Sequence, residues 1–245
     1  MGQYSISDGA FPAPPKSLFT SRESPAVRFP IQRVEIDWAR LQAKRPLVLD
    51  TVQAMPAYLL YPEVVGLLAQ ADNPAQRLVL DLMWSTGARV SEVLALKPTS
   101  FVDDGYDFGV ILQTLKQKSG RPSKKMLARS AKRYVPIQDR VLKDRIQSFL
   151  WAGHFKKTDR IFPMCRQTVN RYIHKLVDRV GGGDVPFNIT AHTFRHSFAV
   201  HLLLHGRPLK AIGQLLGHRS LKSTEIYTEV LSVDVGHFLD GVAFH

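Results

Sequence analysis

Tyr227 sits in a short polar stretch, "LKSTEIYTEV", nine residues after His218 in "LLGH". A phenol with a pKa near ~10 is a poor nucleophile at neutral pH. Such a tyrosine either anchors the last helices as a half-buried aromatic or attacks something with help. The chain holds the help that attack on a phosphodiester requires. Arg89 and Arg195 can clamp the non-bridging oxygens and neutralise the charge that builds as phosphorus becomes five-coordinate. His192 and His218 can move protons or donate hydrogen bonds, and a lysine can protonate the leaving oxygen.

Spacing sharpens this list. His192 and Arg195 in "AHTFRHSFAV" are three apart, so a helix puts them on one face. The plainer reading is a capping or core histidine beside a surface arginine. Glu92 lies one turn after Arg89 in "TGARVSEVLAL", where it can orient the guanidinium. An ordinary intrahelical ion pair, worth roughly 0.2–0.5 kcal/mol, is the modest alternative. His192 with His196, and His201 with His205, are four apart and invite a zinc reading. Thr193, however, stands where a metalloprotease helix needs glutamate, and the single Cys165 forms no metal-binding pair. No metal is expected.

These residues need elements to carry them. Residues 1–57 are rich in Pro and Ser, with a helical stretch expected over Val34–Ala43. Their apolar positions are too few for a core of their own, so they read as an extended arm. From Pro62 on, "PEVVGLLAQA", "PAQRLVLDLMWSTG" and "ARVSEVLALK" have helical spacing, with Gly87 and Pro98 as stops. "YDFGVILQTL" and "KRYVPI" predict two strands around a long loop, "KQKSGRPSKKMLARSA". Helices are expected again at "DRVLKDRIQSFLWA", "RQTVNRYIHKLVDRV", "TAHTFRHSFAVHLLLHG", "PLKAIGQLLGH" and "LKSTEIYTEV". The fold class is mainly α with a small antiparallel β-sheet insert.

Charge names the partner class. The 245 residues carry 33 Lys and Arg against 21 Asp and Glu, a net charge of +12. Between Ile111 and Lys175 there are seventeen Lys and Arg and only three Asp. Surplus charge of this kind can simply favour solubility, but its concentration in one segment is better explained by phosphate contacts. Candidates are Arg121, Lys124, Lys125, Arg129, Lys132 and Arg133. The chain has no membrane-length apolar run and no signal-peptide pattern at its start, and its one cysteine fits a reducing compartment. A cytoplasmic protein, associated with nucleoid or plasmid and not with membrane, is expected.

"TGARVSEVLAL", "HTFRHSFAVHLL" and "LLGHRSLKSTEIYTEV" together resemble the three signature boxes of the tyrosine recombinases, the phage-integrase type. The resemblance covers about residues 58–230, as a catalytic domain of the DNA breaking-rejoining type. It implies that Tyr227 is the nucleophile, forming a bond to the 3′ phosphate of a cut strand and releasing a 5′ hydroxyl. It makes Arg89 and Arg195 the phosphate clamp, His192 the general acid/base, His218 a phosphate hydrogen-bond donor and Glu92 the supporting carboxylate. The family's hairpin lysine falls on Lys116, with Lys118 as its rival. Neither ATP, a redox cofactor nor a metal is implied. The partners implied are double-stranded DNA, a homotetramer on two sites and accessory DNA-bending proteins.

The chain departs from the family pattern in one respect. Most members carry a helical DNA-binding domain ahead of the catalytic one, and here only the Pro-rich arm precedes it. Residues 231–245, "LSVDVGHFLDGVAFH", form a tail that could dock on a neighbouring protomer or on its own domain. Two other functions share parts of this set. A type IB topoisomerase uses the same chemistry without two sites, and a DNA-binding regulator would have a degenerate site.

Overall fold

Side chains that accept the first free amides mark where helices begin in this chain. The computed structural model describes residues 35–51, 55–114, 132–181, 187–218 and 220–232. Helix α1 (Trp38–Thr51) follows Asp37, whose carboxylate accepts from the Arg40 amide at 2.9 Å. Helix α2 (Tyr61–Ala69) has Pro62 in its first turn, and Glu63 Oε2 accepts from the Leu60 amide at 2.7 Å. Helix α3 (Pro74–Thr86) starts on Asn73, which accepts from the Gln76 amide at 3.0 Å. It stops at Gly87, whose φ of +61° favours glycine. A Cβ there would also fall 2.4 Å from a Phe198 ring carbon.

Helix α4 is only Val90–Val93, shorter than the helix expected up to Pro98. Lys97, the residue before proline, is extended, as the proline ring demands, and a 3-10 turn follows at Pro98–Ser100. Three strands then form an antiparallel sheet in the order β1 (Phe101–Asp103), β2 (Phe108–Gln113), β3 (Lys132–Pro136). Across β2 and β3, Val110 faces Val135 and Gln113 faces Lys132. The two longer strands match expectation. β1 was not foreseen, because three residues are too short a run to show alternation.

The remaining elements are α5 (Arg140–Gly153), α6 (Arg166–Arg179), α7 (Ala191–Leu204) and α8 (Leu209–Leu216), all where helices were expected. "LKSTEIYTEV" is broken instead into α9 (Lys222–Glu225), a 3-10 turn (Ile226–Thr228) and α10 (Glu229–Ser232). Among the described residues no helix is long and apolar enough to cross a membrane.

Two apolar clusters hold these elements together. The first joins α2 to α6 and the sheet, with Leu78, Met83, Val110, Ile146, Ile173 and Phe194 at its centre. The second joins Leu41 and Val48 of α1 to Phe198, Val200 and Leu203 of α7, Ile212 and Leu216 of α8, and Tyr227. Helix α7 feeds both, and ten of its fourteen residues are buried. A helix that is apolar on most sides belongs in the middle of a fold. Here that central helix also carries His192, Arg195 and His196.

The start of the packed region differs from the expected boundary at residue 57. Helix α1 begins four residues later than the predicted stretch and runs through Pro46 to Thr51. It belongs to the same compact unit as the helices that follow. Arg45, only 1% exposed, forms a paired bond to Glu63: Nη1 to Oε2 at 2.5 Å and Nη2 to Oε1 at 2.8 Å. Local spacing gives no sign of this pair, because Arg45 finds its carboxylate 18 residues away on α2.

Candidate active site

The site grows outward from one buried guanidinium. Arg195 is 4% exposed on α7. Its Nη1 donates to the Gly87 carbonyl at 2.6 Å and its Nη2 to the Leu216 carbonyl at 2.7 Å. Gly87 is two residues before Arg89, and Leu216 is two before His218. One side chain therefore ties together three distant stretches of sequence. Burial, and then the charge of Arg89, lowers the Arg195 pKa to about 10, which still leaves it cationic at neutral pH.

Arg89 stands at the start of α4. Its amide donates to Glu92 Oε2 at 2.9 Å and its Nη1 to Oε1 at 3.1 Å. Glu92 is 1% exposed in its side chain, while Arg89 remains 35% exposed towards the surface. Arg133 grips the same carboxylate from β3, with Nη1 to Oε1 at 3.0 Å and Nη2 to Oε2 at 2.7 Å. Burial would raise the Glu92 pKa, but the Arg133 bonds and charge, joined by Arg89, outweigh it and hold the carboxyl low. Arg133 Nε also donates to the Leu215 carbonyl at 2.7 Å. Consecutive carbonyls at the end of α8 are thus held by two arginines from different elements.

Three histidines complete the surroundings. His218 follows Gly217, which has a φ of +67°. Its Nδ1 is 2.9 Å from the hydroxyl of the fully buried Thr224. Burial, then the charges of Arg195, Arg89 and Arg133, push His218 down to about 4. The ring is therefore neutral near pH 7. Where Thr224 donates to Nδ1, the ring proton sits on Nε2. His192 is exposed at the start of α7; burial and the charges of Arg195, Arg166 and Arg89 lower its pKa. Tyr227 is 2% exposed, and its hydroxyl lies 2.9 Å from His196 Nδ1. Burial raises its pKa, while the nearby charges of Arg195 and Arg89 pull the other way.

The fold thus brings Arg89, Glu92, His192, Arg195, His218 and Tyr227 into one electrostatic neighbourhood. Lys116, Lys118, Arg121, Lys124, Lys125 and Arg129 lie outside the described residues. Lys132 is exposed at the start of β3. Arg133 needs correction as a surface DNA contact, because its guanidinium points inward to Glu92 and Leu215. His196 as the partner of Tyr227, and Thr224 as the partner of His218, emerge only from the structure. His201 and His205, considered above for zinc, are 4.3 Å apart in an aromatic group with Trp38, and His201 also packs against Tyr61 and Trp84.

A comparison with known proteins gives this arrangement relatives. The model of the Phage integrase family matches residues 58–232. A "Resolvase" of Escherichia coli is 35% identical over 229 residues, covering 86% of each chain. The tyrosine recombinase XerA of Pyrococcus horikoshii is 30% identical over 178 residues, 73% of this chain and 58% of its own. Among solved structures, a crystal structure of XerA recombinase has a TM-score of 0.61 at 23% identity, covering 80% of this chain and 68% of that one. The XerH site-specific recombinase bound to its difH substrate before cleavage has a TM-score of 0.56 at 19% identity. That match covers 75% of this chain, which spans about half (53%) of the XerH chain. Three boxes meeting at Arg195, a mainly helical fold with a small sheet, and a family match across the whole of that region lead to one conclusion: the chain belongs to the phage integrase family and carries the catalytic domain of a tyrosine recombinase.

Proposed function

We propose that the chain is a site-specific DNA recombinase that cuts and rejoins strands through Tyr227. The observation that carries this reading is the pair of bonds from Arg195 to Gly87 and Leu216, which sets the two other boxes around one cation. A scissile phosphate bound between Arg89 and Arg195 meets two positive charges in a partly dry site, where they act more strongly than in water. The Tyr227 oxygen attacks phosphorus and loses its proton. The P–O5′ bond breaks, and the departing oxygen takes up a proton as a 5′ hydroxyl. The phosphodiester is kept as a 3′-phosphotyrosyl bond, so the reverse attack by a 5′ hydroxyl rejoins DNA without an external energy source.

Each other side chain has a place in this step. Neutral His218 offers its Nε2–H to a non-bridging oxygen, and His192 acts as general acid/base. Lys116, with Lys118 as the competing candidate, protonates the leaving oxygen. Glu92 keeps Arg89 in line. DNA is the substrate, and neighbours of the same fold were solved as a dimer on a core site and as a complex with difH. For this chain the assembly is a homotetramer on two sites, with residues 231–245 docking between protomers and accessory proteins bending the DNA.

The test lets the protein select its own target. A library of nicked duplexes with randomised sequence is incubated with the full chain, and DNA that stays bound after denaturation is recovered and sequenced. Wild type is expected to capture a defined site. Tyr227→Phe is expected to bind the same duplex and capture none, since it lacks only the attacking oxygen. Equal capture by both would defeat the assignment. Relaxation of supercoiled plasmid lacking the captured site would favour a topoisomerase instead.

A further inference from the structure

Tyr227 belongs to the apolar cluster that also holds Phe198, Ala199, Leu216 and Val230. A phenol hydroxyl in such a place needs a hydrogen-bond partner, because leaving it bare is unfavourable. Its partner is His196, with Nδ1 2.9 Å from the phenolic oxygen and the two rings 5.8 Å apart. Burial, then the charges of His192, Arg195 and His218, lower His196 to about 4. The imidazole is therefore neutral near pH 7. The buried phenol keeps its proton, and where it donates to Nδ1 the ring proton sits on Nε2.

The position of that acceptor along the chain matters more than its chemistry. His196 is the residue next to Arg195 on α7. The Arg195 guanidinium is itself fixed by the Gly87 and Leu216 carbonyls. A bond that pins the phenol to position 196 therefore fixes it relative to the clamp at position 195. The nucleophile and the phosphate-binding cation are indexed from the same rigid helix. The elements that carry Tyr227 are short, two four-residue helices on either side of a three-residue turn.

We propose that His196 is a positioning residue for strand cleavage: its Nδ1 holds the Tyr227 hydroxyl in register with Arg195. This inference rests on the reading of Tyr227 as the nucleophile. The role asks only for an acceptor at the Nδ1 position. Asparagine supplies one there as its Oδ1; glutamine places its carbonyl one bond farther out, and leucine supplies none.

The test measures single-turnover trapping of the captured nicked duplex at saturating DNA, with DNA affinity measured in parallel. His196→Leu is expected to slow trapping on the order of 100-fold, the scale of a misplaced reacting atom, with affinity little changed. His196→Asn is expected to recover most of that loss, and His196→Gln little of it. Wild-type rates in the Leu variant would overturn the proposal, and so would an Asn variant as slow as Leu. Should the Leu variant not fold, the Asn and Gln variants decide, and equal rates from those two overturn it. Tyr227→Phe runs alongside. Trapping by that variant would sink the nucleophile reading itself, whereas no trapping by Phe with normal trapping by Leu would sink only the role of His196.

Discussion

Single residues set the protonation state of this site. Burial is the leading cause that pushes His196, His201 and His218 each down to about 4, whereas an unfolded histidine titrates near ~6.5. Between those values the unfolded chain binds protons that the folded one refuses. Stability must then rise with pH across this window and fall as pH drops from about 6.5 towards 4, because the state binding more protons gains on acidification. Chemical denaturation at pH 8, 7.5, 6 and 5 should give a flat value above neutrality and a falling one below; the same unfolding free energy at pH 7.5 and 5 would contradict it. The cations and phenol of the site were legible because residue type and spacing announce phosphate chemistry. His196 and Arg133 were not, since their partners lie 31 and 41 residues away, and local spacing carries no trace of such pairs. Thr224 is only six residues from His218, but a lone threonine has many ordinary uses.

Between elements, Arg133 joins β3 to α4 and to the end of α8. Removing its charge leaves Glu92 buried with only Arg89 for company. Arg133→Leu should therefore cost about 3–5 kcal/mol, the usual penalty for stranding half of a buried ion pair. Adding Glu92→Gln should restore part of it. Urea denaturation of the single and double variants measures both numbers, and a single variant as stable as wild type would show that Arg133 bears little of the load. At this scale the sequence was a good guide to the longer helices, where apolar spacing repeats over several turns and caps mark the ends. It failed where elements are short. β1 has three residues, and the Tyr227 segment breaks into three pieces, because tertiary contacts and not propensity fix their shape.

Across the whole molecule, the part that differs from expectation is α1, Trp38–Thr51. Counting apolar residues there underestimates α1, because Leu41 and Val48 complete a cluster whose other members come from α7, α8 and Tyr227. Arg45 then locks α1 to α2 through Glu63, and its side chain is 1% exposed. Deleting residues 1–51 should lower the melting temperature, raise binding of an apolar dye and slow DNA trapping. A truncated chain with the full chain's melting temperature and trapping rate would show that the segment is dispensable after all. The net charge of +12 acts at this scale too, drawing the molecule to DNA whatever its sequence.

The shared bed of α1 and Tyr227 bears on anyone who would build with this protein. A fusion partner or tag joined just ahead of Trp38 tugs on a helix that shares its apolar cluster with Tyr227. Designs that leave Leu41, Arg45 and Val48 seated should keep cutting; those that lift them should still find DNA yet leave it whole.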